Sequence, residues 1–86
     1  MRQAVSTRFP NQAKGETIEY RDDTRQNTLA YLDYSADGAT ASVTVFTVWN
    51  GRSRIYGYRP AKKAEAIVER HLNTEGYTSV TGEEGE

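Results

Sequence analysis

The side chains that most often carry out catalysis are scarce in this sequence. It contains no cysteine, and His71 is its single histidine. The usual nucleophile–base pairs and Cys/His zinc sites therefore cannot be assembled from it. The neighbouring acids Asp22 and Asp23 could bind a metal, but adjacent acids in a polar loop are usually solvated. Because a glycine-rich phosphate loop is also missing, we predict that the protein is not an enzyme and uses no metal or small-molecule cofactor.

A different chemistry is offered by basic and aromatic residues that follow one another in the middle of the chain. Aromatic side chains between cations can stack on nucleic-acid bases while the cations meet phosphates. Aromatic residues and arginine also mark the energetic centres of protein–protein interfaces. Alternatively, the tyrosines are core residues and the arginine stems extend past them into solvent. The residues concerned are Trp49, Arg52, Arg54, Tyr56, Tyr58, Arg59, Lys62 and Lys63.

A meander of three antiparallel strands over residues 28–59 is predicted to position these side chains. Asn50-Gly51 and Asp37-Gly38 separate alternating apolar segments, which is the sequence signal for two-residue type I′ hairpin turns. Such turns would pair Trp49 with Arg52, Thr47 with Arg54, Val45 with Tyr56 and Val43 with Tyr58 in the second hairpin. In the first hairpin they would pair Tyr34 with Ala41, Leu32 with Val43 and Ala30 with Val45.

This pairing assigns every strand residue to one of two sheet faces, because side chains alternate along a strand. The first face is predicted to carry Ala30, Leu32, Tyr34, Ala41, Val43, Val45, Thr47, Trp49, Arg52, Arg54, Tyr56 and Tyr58. The second face is predicted to carry Leu29, Tyr31, Asp33, Ser42, Thr44, Phe46, Val48, Ser53, Ile55, Gly57 and Arg59. Both faces are partly apolar, and one helix can cover only one of them, so the other needs a partner, a second copy or another segment.

The remaining chain predicts one helix and two further strands. Pro60 suits a first helical turn, apolar residues recur at helical spacing through Leu72, and Gly76 suits a stop, which gives a helix over 60–74. Residues 16–21 and 77–81 are predicted strands, 1–14 an irregular segment, and 82–86 an acidic disordered tail. We therefore predict an α+β domain, residues 1–81, with an antiparallel sheet of four or more strands and the helix packed on one face.

Composition and charge indicate where in the cell such a domain would function. Its 86 residues carry a net charge of −1 and contain no apolar run long enough to span a membrane. The first residues lack the apolar segment of a secretory signal, so we expect a protein that is not secreted. The absence of cysteine fits a reducing cytoplasm. The mild net charge also masks a basic segment, residues 52–63, that contains no acid.

One resemblance to a known family concerns residues 43–72. They run as a strand, an Asn-Gly hairpin, a strand with glycine and tyrosine, and then Pro-Ala-Lys-Lys-Ala-Glu-Ala opening a helix. This arrangement resembles the second half of double-stranded-RNA-binding domains. The resemblance implies that Lys62 and Lys63 would meet phosphates across a duplex groove. It covers about a third of the chain, and residues 1–27 do not resemble that family's first helix.

Two functional hypotheses follow. The first is a small binding protein that docks onto a partner protein or its own copy, as viral and mobile-element inhibitors of host machinery do. Its contact residues would be Trp49, Arg52, Arg54, Phe46, Ile55 and Tyr31. The alternative is nucleic-acid binding through Arg52, Arg54, Arg59, Lys62 and Lys63, for which affinity would fall steeply with salt.

Overall fold

The computed structural model describes residues 2–84, which form a small α+β domain with a six-stranded, mostly antiparallel sheet and one helix. The strand order in the sheet is β5-β4-β3-β2-β1-β6, and only the β1–β6 pair is parallel. The elements are β1 (Arg2–Pro10), β2 (Glu16–Arg21), β3 (Thr28–Tyr34), β4 (Thr40–Thr47), β5 (Arg52–Pro60), α1 (Ala61–Thr74) and β6 (Tyr77–Glu84).

The first strand is the largest departure from the sequence prediction. Residues 2–10 form a nine-residue strand instead of an irregular segment, and this strand pairs with both β2 and β6. Most of its side chains are polar and remain at least partly exposed, while Ala4 and Val5 are buried. Long-range pairing therefore makes a strand where the local pattern shows none.

The last strand is longer than the predicted 77–81. It continues beside β1 through Ser6↔Gly82 to Arg8↔Glu84. The first three residues of the predicted acidic tail thus belong to β6, and residues 85–86 lie outside the described part of the chain.

The first hairpin of the meander has the predicted register. Tyr34 pairs with Ala41, Leu32 with Val43, and Ala30 with Val45. Gly38 adopts a φ of 73°, and Asp37 accepts hydrogen bonds from Ala39 N–H and the Ser35 hydroxyl. The Asp-Gly signal therefore correctly located this turn, but the predicted type I′ conformation was wrong, because Gly38 has positive φ and Asp37 does not.

The second hairpin is shifted by two residues from its prediction. Thr47 pairs with Arg52 and Val45 with Arg54, so the connecting loop has four residues, 48–51, instead of two. Gly51 N–H donates to Thr47 O at 2.9 Å, and only Gly51 of the Asn-Gly pair has positive φ, which excludes a type I′ turn. The even shift keeps the β5 side chains on their predicted faces but moves Trp49 out of the ladder to the loop.

A bulge near the end of β5 changes the faces of two residues. Val43 pairs with Tyr56 but Ala41 pairs with Arg59, so Ser42 opposes both Gly57 and Tyr58. Arg59 is therefore on the first-face side, where its guanidinium lies 5.2 Å from the Tyr56 ring centroid. Tyr58 instead joins the second face, as its shared hollow with Asp33 and Ser42 shows. The predicted faces of Tyr58 and Arg59 were wrong for this reason.

The buried core consists mainly of first-face residues of the sheet together with helix residues. Leu32, Val43 and Leu29 are almost completely buried, and Ala64, Val68 and Leu72 of α1 belong to the same cluster. These three helix residues follow an i, i+4, i+8 spacing, which places them on one stripe. Leu29, predicted on the second face, is a core residue because β3 carries a bulge between Thr28 and Ala30.

The helix begins and ends close to its predicted limits. Pro60, predicted in the first turn, is the last residue of β5 and occupies the N-cap position without a side-chain capping hydrogen bond. Gly76, with φ of 96°, follows the last turn and donates its N–H to Asn73 O. In residues 2–84, no helix is both long enough and apolar enough to cross a membrane.

Candidate functional site

The second face brings together three of the predicted contact residues. Tyr31 and Phe46 meet edge to face, with ring centroids 5.9 Å apart and an interplanar angle of 76°. Tyr31 pairs with Thr44, and Thr44 pairs with Ile55, so Ile55 continues the same row toward the sheet edge. Ile55 is 75% exposed. An apolar surface thus extends from the middle of the second face to β5.

Exposure of large apolar side chains is concentrated on this side of the protein. In the described part of the chain, six such side chains are exposed, and three of them, Phe9, Ile55 and Tyr58, lie on the second face. Two more, Val48 and Trp49, form the adjoining hairpin tip, where Trp49 is 80% exposed. The sixth, Val80, pairs with Ala4 on the first-face side of β6. We use the name apolar patch for Phe9, Ile55, Tyr58, Val48 and Trp49; Phe9, on β1, is separated from β5 by the strands β2, β3 and β4.

A polar network holds the middle of the second face in place beside the apolar patch. Glu19 accepts hydrogen bonds from the hydroxyls of Thr28 and Tyr31 at 2.8 and 3.2 Å, and its carboxylate lies 3.1 Å from Arg21 Nε. Burial raises the pKa of Glu19, but the bonds from Arg21 and Thr28 outweigh it and leave the pKa below its usual value. The carboxylate is therefore charged, neutralised by Arg21, and positions Tyr31 under Phe46.

The predicted arginines lie on the opposite side of β5 from Ile55. The guanidinium groups of Arg54 and Arg59 lie 4.9 and 5.2 Å from the centroid of the Tyr56 ring. Tyr56 is half-buried and packs against the core. It is consequently a core residue that also orders two cations.

These cations continue into a basic strip without acidic partners. Arg52 precedes the stacked pair on the same face, and Lys62 and Lys63 follow in the first turn of α1, which contains no acid. The ion pairs Arg2–Asp23, Arg8–Glu16 and Arg21–Glu19 of the described residues do not involve the strip. The sheet thus places positive charge along an edge strand with no internal compensation. The basic strip is Arg52, Arg54, Arg59, Lys62 and Lys63.

The residues with catalytic or metal-binding potential have structural partners. His71 Nε2 lies 2.8 Å from Phe46 O, which links α1 to β4. Asp22 is 5% exposed instead of solvated, and its carboxylate accepts hydrogen bonds from Thr24, Gln26 N–H and Asn27. No group of three or more potential metal ligands occurs in the described chain.

Three members of the apolar patch, Val48, Tyr58 and Phe9, were not predicted as contact residues. Tyr58 was assigned to the first face, although Gly57 beside it is a sequence signal for a bulge. Phe9 was assigned to an irregular segment, and nothing local in its polar surroundings indicates a strand. Comparisons with protein-family models, with curated proteins and with solved structures found no match.

Proposed function

We propose that this chain is a non-catalytic binding protein that docks onto a partner protein through the apolar patch. The observation that carries the proposal is the concentration of exposed large apolar side chains on the second face and the adjoining hairpin tip. Helix residues Ala64, Val68 and Leu72 share the core with first-face residues. We take α1 to lie across the first face, which leaves the second face for the partner.

The charge beside the patch favours an acidic partner over a second copy of this chain. Arg52, Arg54 and Arg59 lie on β5 together with Ile55 and Tyr58, and no carboxylate in the described chain neutralises them. Two copies joined at this edge would bring like charges together, which is unfavourable. A partner with acidic residues around an apolar centre satisfies both features. As part of the proposal, the complex forms in the cytoplasm, which suits a chain without cysteine.

Two valines with equal exposure provide the test. Val48 in the apolar patch and Val80 on β6 are each 44% exposed. A partner captured on the immobilised chain is purified, and its affinity is remeasured with the two pure components. We expect Val48→Asp and Ile55→Asp to weaken binding at least about tenfold, or 1.4 kcal/mol, while Val80→Asp leaves it unchanged.

Equal losses from Val48→Asp and Val80→Asp would contradict the proposal, provided that circular dichroism shows both variants folded. The solution mass could instead double as the protein concentration rises, and Ile55→Asp could restore the monomer. That result would show that the patch binds a second copy of this chain and not a different protein.

Nucleic-acid binding is the second candidate function, and the uncompensated basic strip favours it. It predicts that the logarithm of affinity for RNA or DNA falls linearly with the logarithm of salt concentration, because bound phosphates release counterions. Titration of duplex and single-stranded probes against Trp49 fluorescence measures that slope. The paired charge reversal Lys62→Glu/Lys63→Glu should reduce the slope by about two. An unchanged slope removes both lysines from the site.

A further inference from the structure

The outer edge of β5 is open for pairing with another strand. β5 is the outermost strand of the sheet, so only one of its sides is occupied, by β4. Along an edge strand, alternate residues direct their backbone N–H and C=O groups outward, where another strand can pair with them. The ladder with β4 is regular from Arg52 to Tyr56 and is interrupted at the bulge that follows. This regular stretch therefore offers a short template for one more strand.

The side chains beside that edge differ between the two faces of the sheet. Arg52 and Arg54 lie on the first-face side, with the Arg54 guanidinium held over Tyr56. Ile55, which alternates with them, lies on the second face and is exposed. An added strand would place its own side chains alternately against the arginines and against Ile55, because neighbouring strands share the same pleat.

We infer that the edge of β5 binds an extended segment of a partner protein in which acidic residues alternate with apolar ones. The acidic side chains pair with Arg52 and Arg54, the apolar ones cover Ile55, and the backbone groups complete the sheet. A second copy of β5 is a poor occupant, because it would oppose arginines to arginines across the new ladder. The inference rests on the proposed function, since it specifies how the partner contacts the patch.

Synthetic peptides test the inference directly. The probe is a short, fluorescently labelled peptide of alternating glutamate and valine, and its anisotropy is measured with the full chain. Matched controls are a peptide of the same composition with its glutamates grouped at one end, and an alternating lysine–valine peptide. We expect the alternating acidic peptide to bind at least about tenfold more tightly than either control.

Two further changes separate strand addition from plain charge attraction. N-methylation of the alternate peptide residues whose N–H groups face β5 removes these hydrogen-bond donors and should reduce affinity at least about tenfold. Arg52→Glu/Arg54→Glu should do the same, whereas Arg8→Glu on β1, which β2, β3 and β4 separate from β5, should not. Equal binding of the grouped and alternating peptides, or no binding at millimolar concentration, would overturn the inference.

The outcomes also distinguish this inference from the proposed function. If the peptide fails but Val48→Asp and Ile55→Asp still weaken the purified partner, the patch binds without strand addition. If the peptide binds but the partner ignores both substitutions, the edge site stands and the proposed function fails. If single-stranded DNA or duplex RNA binds through Arg52 and Arg54 while the peptides do not, the strip is a nucleic-acid site and the inference is overturned.

Discussion

Two neighbouring aspartates show how little a residue type alone determines. Asp22 is buried and its carboxylate organises the turn between β2 and β3, accepting bonds from Gln26 N–H at 3.0 Å and Asn27 Nδ2 at 2.8 Å. Asp23, the next residue, is exposed and lies 3.5 Å from Arg2 Nε. The Asp22 carboxylate accepts hydrogen bonds from N–H groups of the turn that would otherwise lack a partner. Asp23 forms a surface ion pair that contributes little to the free energy of unfolding.

This contrast predicts different costs for the same substitution. Asp22→Asn should lower the free energy of unfolding by about 2 kcal/mol, because the charged acceptor of several hydrogen bonds is lost in a buried site. Asp23→Asn should change it by less than about 0.5 kcal/mol. Urea denaturation at neutral pH measures both. Equal effects of the two substitutions would show that the turn does not depend on Asp22.

The same carboxylate predicts a dependence of stability on acid. Burial raises the pKa of Asp22, but hydrogen bonds from Asn27, Thr24 and Gln26 N–H outweigh it and lower the pKa to about 2. Because the folded-state pKa is below that of the unfolded chain, the stabilisation is complete above about pH 4 and is lost as pH falls toward 2. The stability difference between wild type and Asp22→Asn should shrink over that window. A constant difference from pH 5 to pH 2 would contradict this titration.

At the scale of elements, the hairpins show what a turn motif does and does not determine. Asn-Gly correctly located the β4–β5 connection, but loop length depends on side-chain burial along both strands as well as on the turn dipeptide. The two-residue shift preserved the faces of Arg52, Arg54 and Ile55, so most of the candidate site was predictable. Gly57 is a sequence signal for the bulge beside it, but the glycine alone does not show that Tyr58 and Arg59 change faces, because this depends on how β5 pairs with β4.

Two glycines in the strands and turns predict opposite responses to alanine. A Cβ on Gly15 would lie 2.2 Å from Tyr34 O and 2.5 Å from Ser35 O, where backbone atoms cannot easily move. Gly15→Ala should therefore destabilise the fold by about 1–3 kcal/mol. A Cβ on Gly57 meets nothing within 4 Å, so Gly57→Ala should leave stability unchanged or raise it by up to about 1 kcal/mol. Thermal denaturation of both variants measures these effects. If Gly15→Ala is as stable as the wild type, the backbone at residues 34–35 can move away from residue 15.

At the scale of the whole molecule, the sequence predicted the fold class but not the strand order. The meander and the helix carry local signals, namely turn residues, alternation and helical spacing. β1 carries none of these, because its strand state comes from pairing with β2 nearby and β6 at the far end of the sequence. The same limit hid Phe9 from the candidate site, since its face is defined by its pairing with Thr17.

The two sides of the sheet predict unequal tolerance to truncation. Leu32 is completely buried among first-face residues, so Leu32→Ala should cost about 2–5 kcal/mol in unfolding free energy. Ile55 is 75% exposed, and Ile55→Ala should cost less than about 0.5 kcal/mol in the isolated protein. Denaturant titration of the two variants measures this difference. A large loss from Ile55→Ala would mean that the second face is part of the core.

The pairing of β1 with β6 affects how the protein folds during its synthesis. The contact between Arg2 and Tyr77 spans 75 positions, and such distant pairings make folding slow. A ribosome releases β1 before β6, so the nascent chain carries an unfinished inner strand until β6 emerges. A premature stop after α1 would therefore expose the β1 edge, and we expect such truncated chains to aggregate by pairing with one another.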